Sequence, residues 1–212
     1  PASSSLTINS GSPVKLQLLV PGETANTGTI GNGKTGTASQ PTAGTSFNVI
    51  INAVDTYWNI ANSSDVVSIT STDANATMPA NTALANGTVV FNVTLKTKQA
   101  TTFTGTDITD GAKTASSSPS LTVNAGVFTK LQLIMPGETA VPGSSTGKTG
   151  TPTARSAITA FNVTVNAVDA NWNVVTTVTD IVGITSSDLN AMLPANAALT
   201  SGSRTLSVTL RT

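Results

Sequence analysis

The chain of 212 residues has no cysteine and no histidine, and only 9% of it is charged. These absences exclude whole classes of chemistry. Without imidazole or thiol there is no Ser-His-Asp triad, no cysteine nucleophile, no histidine general base and no His/Cys zinc site. Disulfides are excluded as well, so stability must come from packed cores, and thiol usage cannot report the compartment. The 10 Lys+Arg balance the 10 Asp+Glu, and a neutral chain lacks the basic excess that attracts nucleic acid or an anionic membrane. No apolar run approaches the length of a membrane span. No charged-then-apolar leader opens the sequence, so an exported parent would contain this chain as a mature or internal piece. The carboxylates are mostly isolated, with no pair placed for acid–base work. Neither an enzyme nor a cofactor is expected.

Thr, Ser and Asn are plentiful, with 17 Gly and 10 Pro among them, and hydrophobic residues reach 38%. Short apolar stretches rich in Val, Ile, Thr and Phe, punctuated by turn formers, indicate a β protein with many turns.

The sequence also repeats itself, which organises everything else. Lys15-Leu16-Gln17-Leu18 returns as Lys130-Leu131-Gln132-Leu133, and Pro21-Gly22-Glu23-Thr24-Ala25 as Pro136-Gly137-Glu138-Thr139-Ala140. Phe47-Asn48-Val49 matches Phe161-Asn162-Val163, and Asn52-Ala53-Val54-Asp55 matches Asn166-Ala167-Val168-Asp169. Ser5-Leu6-Thr7-Ile8-Asn9 aligns with Ser120-Leu121-Thr122-Val123-Asn124, and the closing Leu210-Arg211-Thr212 with Leu95-Lys96-Thr97. Residues 1–9 are therefore expected to be the terminal strand of a preceding repeat, or a strand donated to a neighbour. Residues 10–124 form repeat 1, and residues 125–212 form repeat 2, which lacks a counterpart of Lys98–Ala115. The junction falls at Thr122–Lys130 and is short enough to be stiff.

Apolar and polar residues alternate along Phe47–Ala53, Phe91–Leu95, Phe161–Ala167 and Leu206–Leu210. This period of two marks half-buried antiparallel strands, with Asn48, Asn52, Asn162 and Asn166 on the water side. Seven strands fit the first copy, at Val14–Val20, Ser46–Asp55, Val66–Thr70, Ala76–Met78, Thr88–Thr97, Thr101–Thr106 and Ser120–Asn124. Turn signals such as Asn86-Gly87 separate them. The expected fold class is all-β: two tandem immunoglobulin-like β-sandwich modules, the second without its last strands.

The succession Ala167-Val168-Asp169-Ala170-Asn171-Trp172-Asn173, then Thr-Ser-x-Asp-x-Asn-Ala, then Phe91-Asn92-Val93-Thr94-Leu95-Lys96-Thr97, resembles tandem bacterial Ig-like domains of the invasin and adhesin type. Trp58 and Trp172 stand where that pattern usually has glycine, so the usual tight turn is in question there. The resemblance implies an extracellular or cell-surface structural module, a stalk, fibre or adhesin spacer. Its partners would be neighbouring repeats or further copies assembling end to end. The alternative is an adhesin module that binds surface glycan or protein through long loops. Some such modules also carry a self-formed Lys–Asn amide beside a buried carboxylate, for which Lys15, Lys130, Asp55 and Asp169 are the residues to inspect.

Several motifs have competing readings. Gly28-Thr29-Ile30-Gly31-Asn32-Gly33-Lys34-Thr35 matches a phosphate loop in letters, but Gly-Thr-Ala-Ser-Gln-Pro follows where a helix is needed. The segments Gly22–Gly44 and Gly137–Ile158 that hold this motif and its counterpart are long for loops. They read either as decorated crossovers or as contact surfaces. Asp169, Asn171 and Asn173 space oxygen ligands as the opening of a calcium loop does, with Asp188 and Asn190 as further ligands. Asp and Asn equally make turns by bonding their own backbone. Trp58 and Trp172 either cap the core end or offer an indole to a sugar or partner.

Overall fold

The computed structural model describes residues 5–212, which contain strands and no helix. In chain order the first copy carries β1 (Lys15–Leu19), β2 (Glu23–Ala25), β3 (Lys34–Gly36), β4 (Ser46–Val54), β5 (Val66–Ser71), β6 (Thr82–Ala83), β7 (Thr88–Thr94), β8 (Ala100–Thr101), β9 (Phe103–Asp107), β10 (Ser116–Ser117) and β11 (Leu121–Thr122). The second copy carries β12 (Lys130–Ile134), β13 (Glu138–Ala140), β14 (Lys148–Gly150), β15 (Phe161–Val168), β16 (Ile181–Val182), β17 (Ala197–Ala198) and β18 (Ser203–Val208).

Two compact units result. One holds the described residues up to Pro41 together with Ser46–Thr94 and Ala100–Thr122; the other holds Thr42–Thr45, Leu95–Gln99 and Val123–Thr212. These bounds differ from a simple cut at residue 124. Within unit 2 the Ala43 N–H donates to Asn124 C=O (2.9 Å) and the Gly44 N–H to Leu95 C=O (2.8 Å), which ties the extra segments in.

In unit 1 a sheet of order β1-β4-β7 faces one of order β10-β9-β5-β6. The pairings within these sheets are antiparallel, one parallel bridge joins Lys15 to Thr114, and the two sheets form a β-sandwich. Alternation does what the pattern requires: Val49, Ile51 and Ala53 of β4 are buried with Phe91 and Val93 of β7, opposite Val67, Ile69 and Phe103. Each such side chain contributes about 1.5–3 kcal/mol when fully buried. Gly105 of β9 faces β1 and β4, and a Cβ there would meet Ile51 Cδ1 at 2.6 Å. A side chain there would force Ile51 to move, so glycine suits this close approach of the sheets. Asn86 and Gly87 both have positive φ (51° and 82°), as a two-residue hairpin turn demands.

Unit 2 rebuilds the first sheet as β12-β15-β18, with the same register of Lys130–Ile134 against Thr164–Val168. Its core is Phe161, Val163, Val165, Ala167, Val182, Leu199, Leu206 and Val208. Its second layer is only β16 and β17; no counterparts of β9 and β10 exist among its described residues. In consequence Leu131 and Leu133 are 51% and 40% exposed, whereas Leu16 and Leu18 are 2% and 0% exposed.

Several expectations need correction. Ala76–Met78 is not a strand; Thr77 makes one bridge to Thr94. Of residues 1–9, 1–4 lie outside the described residues, and Ser5–Asn9 makes no strand pairing within this chain, with Leu6 and Ile8 exposed. The long segments, read as crossovers or contact surfaces, hold short hairpins: β2 pairs with β3, and β13 with β14. Asn52 and Asn166, placed on the water side by alternation, are buried.

Candidate functional site

The hairpin β2–β3 folds over the outer face of its sheet and buries two amide side chains there. Gln17 of β1 donates from Nε2 to the Gly33 carbonyl (2.6 Å) and accepts from Asn52 Nδ2 (2.9 Å). Asn52 in turn accepts from the Thr88 hydroxyl (3.0 Å). Unit 2 repeats this bond for bond: Gln132 Nε2 to Gly147 C=O (2.7 Å), Asn166 Nδ2 to Gln132 Oε1 (3.0 Å), Ser203 Oγ to Asn166 Oδ1 (2.7 Å). The relay crosses all three strands of the sheet and ends on the hairpin. Buried amides of this kind are stabilising only when fully paired.

The same glycine seats the tryptophan. Trp58 and Trp172 both have φ of 66°, the left-handed region that favours glycine, which explains why a glycine is common in that turn. An indole held there carries backbone strain of about 1–3 kcal/mol, sustained only by its surroundings. Lys15 Nζ lies 3.5 Å from the Trp58 ring centroid and Lys130 Nζ 3.4 Å from that of Trp172. The backbone of Gly33 also lies against the ring, so that an added Cβ would sit 2.0 Å from Trp58 Cδ2; at Gly147 the distance to Trp172 Cδ2 is 2.1 Å. Two groups that close cannot share one face of a ring, so the indole is sandwiched between ammonium and glycine. Trp58 Nε1 donates to Gly31 C=O (2.8 Å). Both indoles are half-buried and packed within their own unit. The amines of Lys15 and Lys130 also donate to Thr56 C=O (3.0 Å) and Ala170 C=O (3.2 Å), so their bonds go to backbone and indole and not to an asparagine amide.

Beside each tryptophan a buried aspartate organises the turn. Asp169 Oδ1 accepts the N–H groups of Asn171 (2.8 Å) and Asn173 (2.9 Å), and Oδ2 accepts Gly126 N–H (2.8 Å) and Asn173 Nδ2 (2.9 Å). Asp55 does the same with Tyr57, Asn59 and Gly11. Each carboxylate therefore clamps the chain leading into the first long strand to the turn after the second. The Asn59 side-chain amide, with Gly11 N–H next, holds the Asp55 carboxyl down to about 2.

This donor set does not fit calcium. Asn173 turns its NH2 toward Asp169, and its orientation is fixed because Oδ1 accepts Lys98 N–H (2.8 Å) while Nδ2 donates to Lys96 C=O (2.8 Å). A cation needs oxygens pointing inward. Asp188 belongs elsewhere: it accepts Arg211 N–H (2.6 Å), Thr212 N–H (3.1 Å) and Asn190 N–H (2.9 Å), and shares no partner with Asp169. Those bonds, Arg211 first, hold its carboxyl below the usual range.

Two further charged constellations were not visible in the sequence. The lysine of the phosphate-loop lookalike, Lys34, pairs with Glu23 across the hairpin (3.0 Å), as Lys148 does with Glu138 (2.8 Å). The Lys148 bond, then the Met135 N–H, hold the Glu138 carboxyl below its ordinary value. In unit 1, Lys113 is buried with its amine on Asp65 and on Asp107 (3.1 Å). Carboxylate oxygens of Asp65, Asp107 and Asp110 lie within 4.8 Å of one another, and the ammonium supplies the cation this cluster needs. The signal for the relay was the exact return of Gln17 and Asn52 as Gln132 and Asn166; no local signal marked Lys113. An open groove of unit 2, bordered by Thr42, Lys98, Val127, Phe128 and Val175, has no carboxylate among its described lining residues and offers no acid–base pair.

No protein-family model matches the chain, and the comparison with curated proteins gives no match. Among solved structures it is similar to domains 4–9 of the surface layer protein SbsC, at 20% identity and a TM-score of 0.35, covering 94% of this chain and 27% of that one. It is also similar to domains 5–6 of the S-layer protein SbsC, at 18% identity and a TM-score of 0.31, covering 93% of this chain and 86% of that one. The chain thus spans about a quarter of the length of the first of these structures. No helix of the described residues is long and apolar enough to cross a membrane.

Proposed function

We propose that this chain is a structural module of an extracellular or cell-surface protein, a non-enzymatic stalk, fibre or adhesin spacer of the bacterial Ig-like kind. The observation that carries the reading is the relay and tryptophan seat built twice from the same residues. In both units the polar and aromatic groups that could have formed a ligand site are spent on bonds within the unit. Gln17, Asn52, Gly33, Trp58 and Lys15 cross-link a cysteine-free sandwich, as Gln132, Asn166, Gly147, Trp172 and Lys130 do. A spacer needs resistance to unfolding more than it needs a cleft, and its natural partners are repeats of its own kind.

Three measurements test this. Antibody raised against the chain should label unpermeabilised host cells, and labelling only after permeabilisation would contradict a surface role. Single-molecule pulling should show two discrete unfolding events, with Gly33→Ala lowering the force of one. Saturable glycan binding abolished by Trp58→Ala or Trp172→Ala would favour the adhesin reading instead.

A further inference from the structure

Lys113 is the only buried lysine of the described residues, with its side chain 5% exposed. It stands between β9 and β10. Its amine lies on Asp65 Oδ2, just ahead of β5, and on Asp107 Oδ2, at the end of β9 (3.1 Å). The two carboxylates differ in their surroundings. The Asp107 side chain is 0% exposed and its Oδ1 accepts Thr109 N–H (3.0 Å), whereas the Asp65 side chain keeps 22% of its surface open to solvent. Backbone bonds hold the group in place. Asp65 donates its N–H to Ser63 Oγ (3.2 Å) and accepts Leu84 N–H at its carbonyl (2.9 Å). The Asp110 carboxylate accepts Ala112 N–H (2.9 Å) and so shapes the turn that brings Lys113 back.

An amine set against one carboxyl, with a second carboxylate on the same nitrogen, has the parts of a condensation with its own base. We propose that Lys113 and Asp65 join through a side-chain amide, formed once in the folded chain, with Asp107 moving the proton. A proton first passes from the Lys113 ammonium to Asp65, since burial penalises an ion pair more than a neutral amine and acid. The Nζ lone pair then attacks Asp65 Cγ and the N–C bond forms. Asp107 takes a proton from that nitrogen and hands it to the Asp65 hydroxyl. The Cγ–O bond breaks, and water leaves through the open side of Asp65. Ammonium and carboxylate thus become amide and water, and Asp107 ends as the carboxylate it was. No oxidant or cofactor enters.

The product ties the entry of β5 to the β9–β10 connection across 48 residues of sequence. It constrains the unfolded chain as a disulfide does, in a protein that has no thiols. This inference rests on the geometry of unit 1 and stands whether or not the module is a surface spacer.

The test is the intact mass of the full chain, unfolded before measurement, together with a tryptic map. The mass should fall short of the sequence by one water. Residues 35–96 should be recovered joined to residues 99–130, uncut after Lys113. Asp107→Asn, checked as folded by circular dichroism, should slow the loss of water at least about a hundredfold. Lys113→Arg, which keeps the charge, should show the full mass. A native mass equal to that of the sequence overturns the proposal, whatever the variants do. A water loss that maps to Asp110-Gly111 within a single peptide overturns it as well. Loss of water at the native rate in folded Asp107→Asn would overturn the part given to Asp107.

Discussion

The tetrapeptide Lys-Leu-Gln-Leu occurs in both units with the same strand register and opposite fates for its leucines. In unit 1 Leu16 and Leu18 are core; in unit 2 Leu131 and Leu133 face solvent. Gln17 and Gln132, between them in sequence, are buried in both. Each face of a strand answers to whatever lies over it. The outer face is covered by a hairpin present in both copies, and the inner one, in unit 1, by β9 and β10, which have no counterpart among the described residues of unit 2. Burial is therefore a property of the layer opposite, while the pattern in the strand states only what it can accept.

This contrast can be broken from several sides, and the units can be followed separately because each has one tryptophan. The largest effect is expected from Lys113→Met. It strands the buried Asp107 and leaves Asp65 unpaired, and should cost unit 1 about 3–5 kcal/mol in urea unfolding while unit 2 is untouched. Next, Leu16→Ala should destabilise unit 1 by about 2–5 kcal/mol, whereas Leu131→Ala in the same tetrapeptide should change unit 2 by less than about 1 kcal/mol. Equal costs would show that the two faces are not differently covered. Gln17→Leu and Gln132→Leu sharpen the comparison in the other direction. Each leaves an asparagine amide and a glycine carbonyl unpaired, and the two should cost the same, about 1–3 kcal/mol.

The smallest effect is acid sensitivity. Asp55, held at about 2 by the Asn59 amide and Gly11 N–H, contributes stability that is complete above the ordinary aspartate range near pH ~4 and is lost as pH falls toward the folded value. Glu138 and Asp188, also lowered, act in the same direction in unit 2. Thermal melts from pH 5 to pH 2 should therefore show falling stability. Asn59→Ala should move the loss in unit 1 to higher pH.

Much of the fold was legible because alternation and repetition are strong here. The long strands β1, β4, β7, β15 and β18, the Asn86-Gly87 turn and the duplicated frame all follow from them. The hairpins escaped notice because β2 and β3 are three residues each and hydrophilic, too short for any period to show. Their consequence escaped with them: Asn52 looks like a solvent residue until something covers it. Lys113 gave no local cue, since its partner Asp65 is 48 residues away. The aspartate–asparagine spacing fits both a turn and a calcium loop, and the amide orientation of Asn173, fixed by Lys96 and Lys98, favours the turn on grounds that spacing does not contain. The tryptophans needed the φ of 66° to explain why a bulky residue sits where glycine is usual.

Hydrogen exchange at four backbone amides tests the account most directly. Leu16 and Leu18, bonded to Thr114 and Ser116, should exchange only with opening of unit 1. Leu131 and Leu133, on the free edge of β12, should exchange within the dead time of the experiment while the β15 amides of the same unit remain protected. Slow exchange at all four would mean that the inner face of unit 2 is already covered, contradicting the difference between the units on which the account is built.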